Sequence, residues 1–263
     1  MIRLNDCLPP AFNLNCSCRL FDGFDPQSLA QAIIRHGKKG DGLAVMGIEH
    51  PVVREAISKV AGNGTHVVTL ISDVSRCERS CFVGLDNRAA GRTAGYLLGR
   101  FCGGNSGSSG SVGLIAGSLS YLAHNEREMG FLSLMQESFP HFRIVGVREG
   151  HDDPDENHEL TMSLLEQHPD LVGIYNIGGS SGGVGRALAH AGKSDSVVLI
   201  GHGLTEDTRA LLMEGTMDVV ITQDPLCLIQ NTGQVFSNIF SGLAPAHQVP
   251  EIAMRIIVRD NLP

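Results

Sequence analysis

The sequence predicts an α/β protein whose parallel sheets are covered by helices. Three observations carry this. Short β-branched or apolar runs alternate with amphipathic stretches over most of the chain. The alternation repeats as strand, polar loop, helix, and parallel strands need crossovers of that kind. Apolar residues make up 42% of the 263 and charged residues 18%, enough for a substantial core in one large domain or two smaller lobes.

The elements follow in order. In "DPQSLAQAIIRHG", Asp25 is placed to cap a helix that Pro26 opens. "DGLAVMGI" (41–48) reads as a buried strand. "PVVREAISKVAGNG" (51–64) reads as a helix with Pro51 in its first turn and Gly62 or Gly64 at its end. Strands follow at 65–73 and, briefly, 81–85, then a helix at 87–104. "GGNSGSSGS" (103–111) reads as a flexible surface loop. The rhythm then becomes regular: strand 111–117 with helix 124–139, strand 142–149 with helix 154–168, and strand 171–178 with helix 181–192. Strand 196–202 pairs with helix 205–215, strand 217–224 with helix 225–242, and residues 251–260 close the chain.

In sheets of this kind ligands bind beyond the carboxyl ends of the strands. That edge brings forward Asp73, the segment after Gly117, Asn176, His202 and Gln223. Just past the same edge, "LAHNEREMGF" (122–131) sets Arg127 among His124, Asn125, Glu126 and Glu128. A catalytic group, a ligand clamp and the polar start of a helix are all open readings of it.

Composition excludes several classes. A net charge of −8 argues against a basic nucleic-acid surface on this chain. No apolar run approaches the ~18 residues of a membrane span, and the first 15 residues make a poor signal peptide. Seven scattered cysteines, an odd number without a CxxC pair, read as reduced thiols in the cytoplasm.

Two motifs compete for chemistry. "GSSGG" (179–183) matches G-x-S-x-G between a strand and a helix, with Asp218, Asp224 and His247 downstream in hydrolase order, which makes Ser181 a candidate nucleophile. Residues 178–185 hold five glycines and two serines, so a chance match at a plain helix start is the simpler reading. "DDPDENHEL" (152–160) places Asp153, Asp155 and Asn157 like a calcium loop, but His158 replaces the turn glycine and Leu164 the final glutamate. An acidic helix N-terminus explains it better, and no metal is expected. No dinucleotide or P-loop fingerprint occurs and no cofactor is expected. Asp73, Arg127, Asn176 and Gln223 remain. Each could be a loop cap or a salt bridge, but four groups able to make paired hydrogen bonds at one edge suit a polyol.

"GLDNRAAGRTAGYLLGR", "GLIAGSLSYLAHNEREMGF", "LVGIYNIGGSSGGVGRAL", "LIGHGLTEDTRALL" and "VVITQDP" together resemble the effector-binding domain of LacI/GalR-type regulators, itself similar to sugar receptors of the ribose-binding type. The likeness covers roughly residues 15–263; Asp86-Asn87 with Gly91 and Gly95, and Arg127 three residues before Gly130-Phe131, are its most specific parts. The resemblance implies two Rossmann-like lobes with parallel sheets, residues 1–85 plus 224–250 and 86–223 plus 251–263. Three hinge crossings would lie near residues 84–86, 223–225 and Pro250, with a sugar or polyol in the cleft. It implies ligand contacts from Asp73, Arg127, Asn176 and Gln223, with Arg127 in the first turn of its helix and Gly130-Phe131 packed behind.

The chain departs from the pattern in three places. Gly203 stands where the family usually has an acid, with His202 as a partial substitute. There is no tryptophan, leaving Tyr121, Phe131 or His202 to face a sugar ring. "NCSCRLF" (15–21) already looks like the second strand of the first lobe, so the opening strand and helix are expected to be missing through truncation or a misplaced start. The leading expectation is the sugar-sensing domain of a cytoplasmic regulator. It would be a homodimer through its first lobes and bind DNA only through a module this chain lacks. The alternatives are a secreted sugar receptor serving an importer and a serine hydrolase using Ser181.

Overall fold

The computed structural model describes residues 7–21, 23–103 and 109–263; most of the expected loop at 103–111 lies outside them. The chain forms two compact units. One comprises Met1–Leu85, Ser120–Leu122 and Gln223–Ala253; the other comprises Asp86–Leu119, Ala123–Thr222 and Met254–Pro263.

The first unit is built from helix α1 (Pro26–Gly37), strand β1 (Gly42–Val45), helix α2 (Pro51–Gly62), strands β2 (His66–Leu70) and β3 (Cys81–Val83), and the last helix (Pro225–Phe240). Asp25 caps α1 by accepting from the amides of Gln27 and Ser28, and His50 Nδ1 accepts from Val52 at the start of α2. Both helices open on proline, whose missing N–H costs nothing there. The sheet order is β1-β2-β3, all parallel, with Gly42 opposite His66 and Val68 opposite Cys81. Leu29, Ile33, Val53, Ile57 and Val67 fill one face; Val235 and Phe236 of the last helix pack with Val68 and Val83 in a second cluster.

Two expectations fail here. Residues 15–21 form no strand; they pair with no sheet and are largely exposed, Leu20 almost fully. A strand exists only through a ladder, and β1 is bonded to β2 alone. For the same reason the run at 41–48 is not a buried strand. It shortens to Gly42–Val45, an edge strand in which no residue is buried.

The second unit alternates as expected: α3 (Asn87–Phe101), β4 (Gly110–Ala116), α4 (Leu122–Ser138), β5 (Phe142–Glu149), α5 (Pro154–Gln167), β6 (Leu171–Asn176), α6 (Ser181–His190), β7 (Val198–His202), α7 (Glu206–Glu214), β8 (Val219–Thr222) and β9 (Arg255–Ile257). The last helix of the first unit, Pro225–Phe240, is α8. The order is β5-β4-β6-β7-β8-β9, parallel except that β9 runs antiparallel to β8, with Thr222 opposite Arg255. An antiparallel edge on a parallel sheet is a common ending. Every residue of β4 is buried, because helices cover both faces. Val112 and Leu114 point to a core with Ala90, Leu98, Phe131 and Met135 of α3 and α4. Ile115 points the other way, to Leu164, Val184, Leu188 and Leu212 of α5, α6 and α7.

Glycine sets the crossing of α3 and α4. A Cβ on Gly91 would collide with the Arg127 carbonyl, and one on Gly130 with the Arg88 carbonyl. The two backbones therefore touch where "NRAAGR" meets "REMGF", and this close approach fixes the base of the Arg127 side chain.

Candidate functional site

Arg127 is the centre of the polar groups at the carboxyl edge of the six-stranded sheet. Helix α4 begins at Leu122, so Arg127 lies in its second turn, not its first as expected. The helix starts early because His124 is already anchored, its Nδ1 lying 2.9 Å from the Ser118 carbonyl. Asp86 caps α3 through the Ala89 amide at 2.8 Å, which buries Asn87 as the first residue of that helix. Arg127 Nε donates to Asn87 Oδ1 at 2.9 Å, and Nη1 donates to the Ile177 carbonyl, one residue past β6, at 2.9 Å. The guanidinium thus ties the start of α3 to the end of β6, with only 8% of the residue exposed. Nη2 has no protein hydrogen bond, and Arg127 no ion pair, among the described residues.

The titratable neighbours are held neutral. Burial, and then the Arg127 charge, depress the His124 pKa to about 4. The same causes, with His124 added, push His202 well below the usual imidazole range. His202 Nε2 lies 2.7 Å from the Tyr175 hydroxyl, and burial raises the Tyr175 pKa, so the phenol keeps its proton. Tyr175 stacks on Phe131 with ring centroids 4.9 Å apart. Burial also lowers the Arg127 pKa, but from a starting value so high that the group stays charged. The expected ring-stacking residues are otherwise engaged. Phe131 is fully buried behind Arg127, Tyr121 packs edge-on to Phe24 within the first unit, and His202 is bound to Tyr175.

Asn176 turns to the other face of β6. Its Nδ2 donates to the Gly179 carbonyl and to Ser181 Oγ, both at 2.8 Å. Its Oδ1 is buried and makes no protein hydrogen bond. This removes the hydrolase reading of Ser181: the residue is buried and its hydroxyl is taken by an amide, not an imidazole. Asp218 accepts from the Leu199 amide, Asp224 caps α8, and His247 is exposed in the first unit. Asp153 is the N-cap of α5, as an acidic helix start would have it.

The loops after β4, β5 and β6 are joined by Asp152. Its backbone is left-handed at φ 52°, and its carboxylate accepts from the Gly179 amide at 2.6 Å. Gly117 and Gly178 leave the room this carboxylate occupies. Gly203, at φ 79° after β7, has nothing within 4 Å of where a Cβ would stand.

Asp73 and Gln223 belong to the first unit. Asp73 accepts from Thr69 Oγ1 at 2.5 Å and from the Val74 amide at 2.8 Å, and it pairs with Arg79. Gln223 is half-buried after β8. Sequence reasoning brings forward Arg127, Asn176 and His202, which the fold gathers at one sheet edge. It gives no role to Asn87, Tyr175 or Asp152. Asn87 is present in it only as part of the family resemblance beside Asp86, Tyr175 is signalled by nothing local, and Asp152 by its place directly after a strand.

A model described as a periplasmic binding protein domain matches residues 25–238. The D-allose-binding periplasmic protein of Escherichia coli (strain K12) is 20% identical over 200 residues, 75% of this chain. The match spans 57% of that relative's length. Among solved structures, GanP, a glucose-galactose binding protein from Geobacillus stearothermophilus, superposes with a TM-score of 0.80 at 23% identity, over 89% of this chain and 82% of its own. A solute-binding protein of an ABC transporter from Burkholderia graminis, solved in complex with D-arabinose, gives 0.79 at 21% identity, over 90% and 82%.

Proposed function

Because the chain belongs to the periplasmic binding protein domain family, we propose that it is a non-enzymatic binding protein for a small carbohydrate, with Arg127 as its principal clamp. The observation that carries this is the guanidinium itself. It is locked by two hydrogen bonds, to the start of α3 and to the residue after β6, and its remaining nitrogen is left for a ligand. A rigid fork of this kind suits paired oxygens. His202 and Asn176 belong to the same sheet edge. Similarity to receptors named for D-allose, for glucose and galactose, and for D-arabinose supports a monosaccharide.

The same relatives favour a solute receptor serving an importer over the regulator expected from sequence. One observation favours the regulator and a cytoplasmic site: Cys18, Cys77, Cys81, Cys102 and Cys227 are free thiols. A thermal-shift screen against pentoses, hexoses and polyols tests the binding reading. At a hundred times its Kd a ligand adds ~2.7 kcal/mol of stability, and Arg127→Ala removes the rise. A chain that no carbohydrate stabilises fails the reading. Sedimentation separates the two roles: a monomer fits the receptor, and a ligand-sensitive dimer fits the regulator.

A further inference from the structure

Arg127 is a buried cation with no ion-pair partner among the described residues. Charges this deep are normally paired, since desolvation of a bare charge costs far more than a hydrogen bond returns. Its direct partners are the Asn87 side-chain oxygen and the Ile177 carbonyl, and the groups around it are His124, His202 and the Tyr175 phenol. All of these are neutral. Two carboxylates reach it only through their fields, Asp152 and Glu126. Asp152 is occupied by the Gly179 amide and wedged against Gly117 and Gly178; Glu126 is half-buried on the turn of α4 that carries Arg127. At the end of β7, beside His202, Gly203 faces open space where a side chain would stand.

The geometry points to a sugar acid as the preferred ligand, its carboxylate paired with the Arg127 guanidinium. This rests on the carbohydrate-binding reading and narrows it. A hydroxyl can occupy Nη2 but brings no charge to the guanidinium. A carboxylate meets the fork with charge-assisted bonds, roughly twice as strong as neutral ones. The neutral imidazoles and phenol add no competing negative charge. They also add no ionised group of their own around Arg127, so that the pair counts.

Titration calorimetry of the full chain at pH 7 tests this with matched pairs, D-galacturonate against D-galactose and D-glucuronate against D-glucose. Each pair differs only in a carboxylate at C6. The expected result is an acid that binds about tenfold or more tighter than its neutral twin. This ratio in the unaltered protein decides the question even if a variant misfolds. Arg127→Gln should bring the ratio to about one, and Arg127→Lys should keep part of it. Gly203→Asp, a residue that tolerates positive φ better than most, should move the preference toward the neutral sugar. A neutral sugar that binds as tightly as its acid, or more tightly, overturns the inference and leaves the carbohydrate reading standing. Binding by none of the four overturns the inference; the carbohydrate reading falls only if the screen of pentoses, hexoses and polyols is negative as well.

Discussion

Asp73 in the loop after β2 and Arg127 in the second turn of α4 lie one in each unit, and they are satisfied in opposite ways. Asp73 has the Arg79 guanidinium, the Thr69 hydroxyl and the Val74 amide, all from within about six residues. Its charge is answered locally, and the loop after β2 holds its shape through it. Arg127 is held by groups 40 and 50 residues away in sequence, and neither carries charge. The first is a residue that stabilises its own loop and can add a contact. The second is positioned by the fold, with carboxylates acting on it only through their fields and no direct ion pair among the described residues. Burial, long-range positioning and the lack of an ion-pair partner among the described residues are what support the proposal of Arg127 as the recognition group.

The largest way to disturb this contrast is to remove the wall behind Arg127. Phe131→Ala deletes a fully buried ring that stacks on Tyr175, and should cost ~3–5 kcal/mol in urea denaturation followed by circular dichroism. A loss below about 1 kcal/mol would mean that the cluster is not rigidly packed.

Next is pH. The unfolded chain protonates His124 near pH 6.5, the folded chain only near 4. Below pH 6.5 the unfolded state therefore binds more protons. Stability that is present above pH 6.5 should fall as the pH drops toward 4, by up to ~3 kcal/mol from this residue. His124→Gln should flatten the difference in that window, with His202 leaving a residual slope in the same direction. Identical profiles for the two proteins would show that the imidazole does not stay neutral beside Arg127.

Two substitutions without ligand then test the contrast directly. Asp73→Asn leaves the Arg79 guanidinium without its partner and should cost ~1–2 kcal/mol. Arg127→Met loses two hydrogen bonds but also removes an unpaired buried charge, and should change stability by less than ~1 kcal/mol. Its effect should appear in ligand affinity instead. If Arg127→Met destabilises the free protein more than Asp73→Asn does, Arg127 is a structural strut and the contrast between the two residues is lost.

Most of the second unit is legible in the sequence because its helices and strands are long enough for periodicity to be unambiguous. β4 reads as an unbroken apolar run since helices cover both its faces. The first unit is harder to read. Residues 15–21 carry strand-like side chains, yet whether they form a strand depends on a neighbouring backbone, which side-chain pattern does not encode. The start of α4 is misplaced by two residues because a tertiary contact, His124 to the Ser118 carbonyl, extends the helix backward.

By itself the sequence determined the strand–helix alternation, with Asn176 and His202 at strand ends and Arg127 near the start of the helix that follows one. Those features depend on local periodicity and on residue size, which are written along the chain. Only the tertiary structure decided that Arg127 is buried against Asn87 and the Ile177 carbonyl, that its imidazole neighbours are neutral, and that Ser181 is taken by an amide. Charge state and hydrogen-bond commitment depend on desolvation by residues far apart in sequence. No local pattern fixes them until the sheet has brought those residues together.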